Sequence, residues 1–126
     1  MYKMKILLVD DEADILIVMK KLIESWGYEV ISVSNGKDAI DAVTAKKSDI
    51  IILDHLMPGM SGFDTLREIR KFNAKIPVIM FTAYSGEVPL KGREDLGINV
   101  FIPKSSEESI LKIAIATMER KLEKKY

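Results

Sequence analysis

A doubly wound α/β fold of five strand–helix units, (βα)₅ around a parallel five-stranded sheet, is what this sequence predicts, and three observations lead there. Short apolar runs recur along the chain and are continuous rather than alternating, as strands covered on both faces require. The segments between them repeat apolar residues at helical spacing. Strand and helix alternate from end to end, which implies right-handed βαβ crossovers and helices on both sides of the sheet.

Residues 6–9 form the first strand and stop abruptly at Asp10, Asp11 and Glu12. Ile15, Val18, Met19, Leu22, Ile23 and Trp26 then mark one face of the first helix, with Gly27 where a left-handed cap fits. Residues 29–33 are the second strand, Ser34, Asn35 and Gly36 a turn, and Ala39, Ile40 and Val43 one face of the second helix. Residues 50–53 form the third strand, which delivers Asp54 at its C-terminal end and leads into a loop punctuated by Pro58, Gly59 and Gly62. Phe63, Leu66, Ile69 and Phe72 define the third helix. Residues 77–81 are the fourth strand, ending at Thr82, and residues 100–102 the fifth, ending before Pro103 and Lys104.

Ile110, Ile113, Ala114, Thr117 and Met118 set the last helix against the sheet, with Ser105 and Glu108 spaced as a capping box. The segment between the fourth and fifth strands is a poorer helix. Pro89 can start a helix but not sit inside one, and Gly92 costs about 1 kcal/mol relative to alanine in a helix interior. Val88, Leu90 and Leu96 offer only a thin apolar stripe, so a short, irregular or mobile helix is expected there, closing at Gly97.

The 126 residues suit one domain spanning the whole chain, with no repeat, linker or low-complexity segment. Hydrophobic residues make up 48% and charged residues 30%, with 19 basic against 19 acidic, so neither disorder nor long-range attraction to nucleic acid or anionic membrane is indicated. The basic run near the C-terminus alternates with acids and reads as a solvated helix end. With no cysteine, thiolate catalysis, disulfides and Cys-based zinc sites are excluded. The first apolar run is far too short for a signal peptide or membrane span, which makes the cytoplasm the expected compartment.

In an open α/β sheet, ligands sit beyond the carboxyl ends of the strands, near the point where strand order reverses. That edge collects Asp10 and Asp11 from the first strand, Asp54 from the third, Thr82 from the fourth and Lys104 from the fifth. Three close carboxylates repel one another unless a cation neutralises them, and a hard oxygen set without Cys or His selects Mg²⁺. Phosphoryl transfer asks a protein mainly to align a nucleophile and to neutralise charge on the equatorial oxygens. Asp54 would be the nucleophile, Mg²⁺ and Lys104 the neutralising charges, and Thr82 a hydrogen-bond donor.

The chain resembles the CheY-like receiver domains of two-component response regulators, which share the flavodoxin-like fold. The resemblance rests on Leu7-Leu8-Val9-Asp10-Asp11-Glu12, on Leu53-Asp54 through Met57-Pro58-Gly59-Met60-Ser61-Gly62, on Thr82-Ala83, and on Phe101 through Lys104. It implies that Asp54 is a phosphoacceptor for a histidine kinase or phosphorelay protein. It further implies Mg²⁺ binding by Asp10 through water, by Asp11 and Asp54 directly and by the Leu56 carbonyl, with the amides of Leu56 and Ala83 on the phosphoryl group. Thr82 and Phe101 match the family's switch residues, and the output face would combine the fourth helix, fifth strand and last helix. No enzyme activity beyond self-catalysed phosphorylation and dephosphorylation is implied. The family's proline after the lysine is Ser105 here, and since a cis bond before a non-proline residue costs about 2.5–4 kcal/mol, a trans bond is expected.

Two other functions would use parts of the same residue set. A haloacid-dehalogenase-like phosphohydrolase would also pass through an aspartyl phosphate, but it carries a second Asp two residues after the nucleophile, where this chain has Leu56. A receiver-fold binding module working without phosphate would not need the full set of acids, hydroxyl and lysine. His55 is the sole histidine, and because neighbours in an extended segment point oppositely it is expected to face away from the site.

Overall fold

The computed structural model describes residues 3–83 and 96–123. Its elements in chain order are β1 (Lys5–Val9), α1 (Ala13–Ser25), β2 (Glu29–Val33), α2 (Gly36–Thr44), β3 (Ile50–Leu53), α3 (Gly62–Arg70), β4 (Val78–Thr82), β5 (Val100–Pro103) and the C-terminal helix α4 (Glu108–Glu123). All strand pairs are parallel, in the order β2-β1-β3-β4-β5, so the winding reverses between β1 and β3. This is the doubly wound sheet expected from the alternation of elements. Most of the segment expected to form a helix between β4 and β5 lies outside the described residues. No helix among the described residues is long and apolar enough to cross a membrane.

Side chains of the inner strands alternate between two cores. Leu7, Val9, Ile51, Leu53, Val78 and Met80 pack under α2 and α3 with Ala39, Val43, Leu66 and Ile69. Ile6, Leu8, Ile50, Ile52 and Ile79 face the other way, toward Ile23 of α1 and Leu111, Ile115 and Met118 of α4. A strand buried on both faces needs no polar alternation, hence the unbroken apolar runs.

Several helix faces depart from expectation. In α1 only Ile23 is buried, Leu16, Met19 and Trp26 are partly covered, and Val18 is 64% exposed. Residues 15–19 are all apolar, so spacing alone left the rotation of the helix open. In α4 the buried face is Leu111, Ile115 and Met118, whereas Ile110 and Ile113 are 48% and 61% exposed. The sequence there is apolar at nearly every position and supports two stripes. Ser105 does not cap α4, which begins at Glu108; it lies in a turn closed by the Ser106 amide on the Pro103 carbonyl. A capping box does exist, at the start of α3, where Ser61 and Asp64 bond reciprocally. Phe72 falls beyond α3 and is half exposed, because Asn73 turns the chain by accepting the Lys75 and Ile76 amides.

The end of α3 ties the return into β5. The Arg70 guanidinium donates to the carbonyls of Leu96 (2.7 Å), Gly97 (3.2 Å) and Asn73 (3.2 Å), with Leu96 buried beneath. Gly97 has φ +64°, a left-handed turn suited to glycine.

α2 closes with the Lys46 amide on the Val43 carbonyl and the Lys47 amide on the Ala42 carbonyl, which puts Lys46 at φ 56°, where helices usually place glycine. Relief of the left-handed penalty outweighs the added chain entropy, so Lys46→Gly is expected to stabilise the fold by roughly 0.5–1 kcal/mol in chemical denaturation.

The Tyr28 hydroxyl donates to Glu119 of α4 at 3.1 Å. Burial first, then the Glu119 hydrogen bond and the charges of Glu119 and Glu123, push its pKa from 10.0 to about 12. The neutral phenol is the form the fold favours, so this contribution is complete below pH 10.0 and is lost as pH rises through about 12. Tyr28→Phe is expected to flatten the fall in stability across that window, as read by urea unfolding at stepped alkaline pH.

Candidate functional site

The sheet brings Asp10 and Asp54 side by side. The Asp54 amide donates to the Val9 carbonyl at 3.0 Å, extending the β1–β3 ladder by one residue beyond β3. Carboxylate oxygens of Asp10, Asp11 and Asp54 all lie within 4.8 Å of one another. Asp10 and Asp54 are only 2% and 3% exposed, while Asp11 is more open to solvent. Thr82, also buried, ends β4 on the same edge.

Lys104 reaches this cluster from the loop after β5. Its amide donates to the Thr82 carbonyl at 2.9 Å, which holds the loop against β4. Its ammonium meets Asp10 Oδ2 at 2.5 Å and Asp54 Oδ2 at 3.2 Å, and its side chain is 14% exposed. Burial alone would lower the Lys104 pKa, but the Asp10 hydrogen bond and the charges of Asp54 and Asp10 outweigh it and raise the group above its ordinary value. The peptide bond from Lys104 to Ser105 is trans, as expected.

Asp10 also serves α1. Its Oδ1 accepts the Glu12 amide at 3.0 Å, one of the helix-start donors, whereas the N-cap residue Glu12 makes no side-chain cap of its own. Asp10 therefore serves the start of α1 and lies in the acid cluster at once.

Leu56, in the loop after β3, is 52% exposed, and Ala83 directly follows β4. Phe101 lies on β5, half buried beside the core under α2 and α3. His55 does not enter the acid cluster: its ring stacks on Phe63 at 4.2 Å. Burial lowers the His55 pKa against the opposing charges of Asp54 and Asp64.

With one ammonium against three carboxylates, the cluster retains excess negative charge. Asp54 Oδ1 is buried with no hydrogen-bond partner among the described residues. An all-oxygen set with an unsatisfied buried carboxylate oxygen suits a hard divalent cation, so the residues present fit Mg²⁺. The pairing of Lys104 with Asp10 in the resting site was not anticipated, since nothing in the linear sequence orders the strand ends by distance.

A family model described as the response regulator receiver domain matches residues 6–116. The chain belongs to that family. This receiver domain is 34% identical over 93 residues to sporulation initiation phosphotransferase F of Bacillus subtilis, covering 74% of this chain and 75% of that one. It is 32% identical over 124 residues to the probable transcriptional regulator ycf27 of Porphyridium aerugineum, covering 98% of this chain and 51% of that one. The transcriptional regulatory protein ZraR of Klebsiella oxytoca is 41% identical over 80 residues, which are 64% of this chain and 18% of that one. The chain thus spans about half of the one transcriptional regulator and less than a fifth of the other. Among solved structures, the response regulator TrrA of Thermotoga maritima in complex with Mg(2+)-BeF superposes with TM-score 0.84 at 31% identity, covering 91% of this chain and 98% of that one. The same regulator in complex with the histidine kinase ThkA gives TM-score 0.82.

Removing Lys104 would leave two buried carboxylates facing each other uncompensated. Lys104→Met is expected to destabilise this receiver domain by on the order of 3 kcal/mol in metal-free buffer, a loss that Asp10→Asn in the same chain substantially reverses. Thermal melts of the two variants and the wild type in chelator check this.

Proposed function

We propose that this receiver domain takes a phosphoryl group onto Asp54 from the phosphohistidine of a kinase or phosphotransfer protein and thereby switches a surface read by a protein partner. The observation that carries the reading is Asp54 itself: a buried carboxylate with one oxygen paired to Lys104 and the other with no hydrogen bond among the described residues, beside Asp10 and Asp11. Membership of the receiver family, and the solved complexes of TrrA with Mg(2+)-BeF and with a histidine kinase, support it.

In this reading Asp10, Asp11, Asp54 and the Leu56 carbonyl would hold Mg²⁺. Bound there, Mg²⁺ supplies positive charge for the phosphoryl oxygens and offsets the repulsion among the acids. An Asp54 carboxylate oxygen attacks phosphorus as the P–N bond to the donor imidazole breaks; the imidazole, already protonated on its other ring nitrogen, takes the electron pair of that bond and leaves neutral. Lys104 shifts from bridging two carboxylates to balancing the charge of the new acyl phosphate. Thr82 donates a hydrogen bond from the end of β4, and the amides of Leu56 and Ala83 add two more. Hydrolysis reverses the modification: water attacks phosphorus, the O–P bond breaks, and the Asp54 carboxylate returns with inorganic phosphate. Thr82 and Phe101 would carry the change toward the partner-binding face formed by the segment before β5, by β5 and by α4. A cytoplasmic location goes with this reading.

Leu56 stands where an aspartyl-phosphate phosphohydrolase of the haloacid-dehalogenase type carries its acid, and an exposed leucine cannot transfer a proton. Incubation with acetyl phosphate and Mg²⁺, read by intact mass, is expected to give a slowly decaying single adduct on the wild type and none on Asp54→Asn. An adduct of equal yield on Asp54→Asn would move the site elsewhere, and rapid turnover without an adduct would favour the phosphohydrolase.

A further inference from the structure

Beside the acid cluster, three aromatic rings stand in a row. The His55 and Phe63 rings stand 4.2 Å apart at 37°, and the Phe63 and Phe101 rings meet edge to face at 6.3 Å and 87°. The Phe63–Phe101 spacing lies within the range in which ring pairs interact specifically, and the His55 and Phe63 rings stand closer still. The row runs from the residue after Asp54, through the first turn of α3, to β5, whose following loop carries Lys104.

The backbone beneath it is equally tight. The Gly62 amide donates to the His55 carbonyl at 2.9 Å, and the Met57 amide shares that acceptor at 3.1 Å. A Cβ on Gly62 would come within 2.3 Å of the Asp54 carbonyl oxygen and 2.8 Å of His55 Cα, so the start of α3 rests directly on the peptide joining Asp54 to His55. The Ser61–Asp64 capping box fixes that start, and Phe63 is 7% exposed. A displacement of the Asp54–His55 peptide therefore cannot be absorbed locally.

We infer that Phe63 is a positioning residue, coupling the Asp54–His55 peptide to the Phe101 ring through the row of three rings. The route passes through α3 and is separate from the hydroxyl of Thr82. In its link to phosphoryl chemistry it rests on the function proposed above, but the coupling itself is a property of the free protein.

The test uses ¹⁹F NMR of the full chain labelled with fluorophenylalanine, the Phe101 signal being assigned by substitution. In the free protein, His55→Leu is expected to shift the Phe101 signal, and the same change made in a Phe63→Leu background to shift it roughly threefold less or not at all, the non-additivity expected of residues joined through a shared neighbour. Equal shifts in the two backgrounds would overturn the coupling. A role for Phe63 in stability alone would lower the melting temperature and leave the two shifts equal. Should Phe63→Leu fail to fold, Phe63→Met serves as the same background. In a second arm, Mg²⁺ with beryllofluoride is expected to move the Phe101 signal of the wild type and to move it less in Phe63→Leu at unchanged affinity for the mimic. Failure of the wild type to bind the mimic would overturn the phosphoryl reading of Asp54, while the first arm still decides the role of Phe63.

Discussion

Two carboxylates buried side by side at the edge of a sheet would push the strand ends apart unless a cation stood between them. Lys104 is that cation in this molecule: one ammonium bridges Asp10 at the end of β1 and Asp54 just beyond β3. The bridge spans residues far apart in sequence and joins the first strand to the last. It also keeps the acids close enough for a divalent ion to find them already assembled. The bridging lysine offsets part of the repulsion among the three acids, and the remaining negative charge is what makes the cluster suited to a hard cation.

The sheet order makes this geometry available. Because winding reverses between β1 and β3, their following helices leave on opposite faces and leave the carboxyl ends of the two strands uncovered. Asp10 and Asp54 occupy equivalent places one residue beyond Val9 and Leu53, which pair in register. The inner strands are apolar throughout since helices cover both faces, so the first polar residue after each run marks the edge. Strand ends and the acids gathered just beyond them were therefore legible together, as the position where Ile6 to Val9 gives way to Asp10 illustrates.

Helix orientation was less legible, for a physical reason. Where residues 15–19 or 110–118 are apolar at most positions, more than one stripe fits a period of 3.6 and only packing chooses between them. The sheet chose Leu16, Met19 and Ile23 in α1 and Leu111, Ile115 and Met118 in α4, leaving Ile17, Val18, Ile110 and Ile113 toward solvent. The Arg70 grip on Leu96 and Gly97 had no sequence signal either, because it depends on where α3 ends relative to the entry into β5. Lys104 was recognised by its place after β5, but its resting partner could be identified only once the lengths of that loop and of β1 were realised in space.

Asp10 shows how one residue joins the site to the scaffold. Its Oδ1 holds the Glu12 amide at the start of α1 while its Oδ2 holds Lys104. Any group that draws the ammonium toward Asp54 alters the charge left on Asp10, and with it the strength of the bond that fixes the first turn of α1. Lys104 in turn is anchored by its amide on the Thr82 carbonyl, so backbone and side chain of one residue tie the loop after β5 to β4, to Asp54 and, through Asp10, to the start of α1.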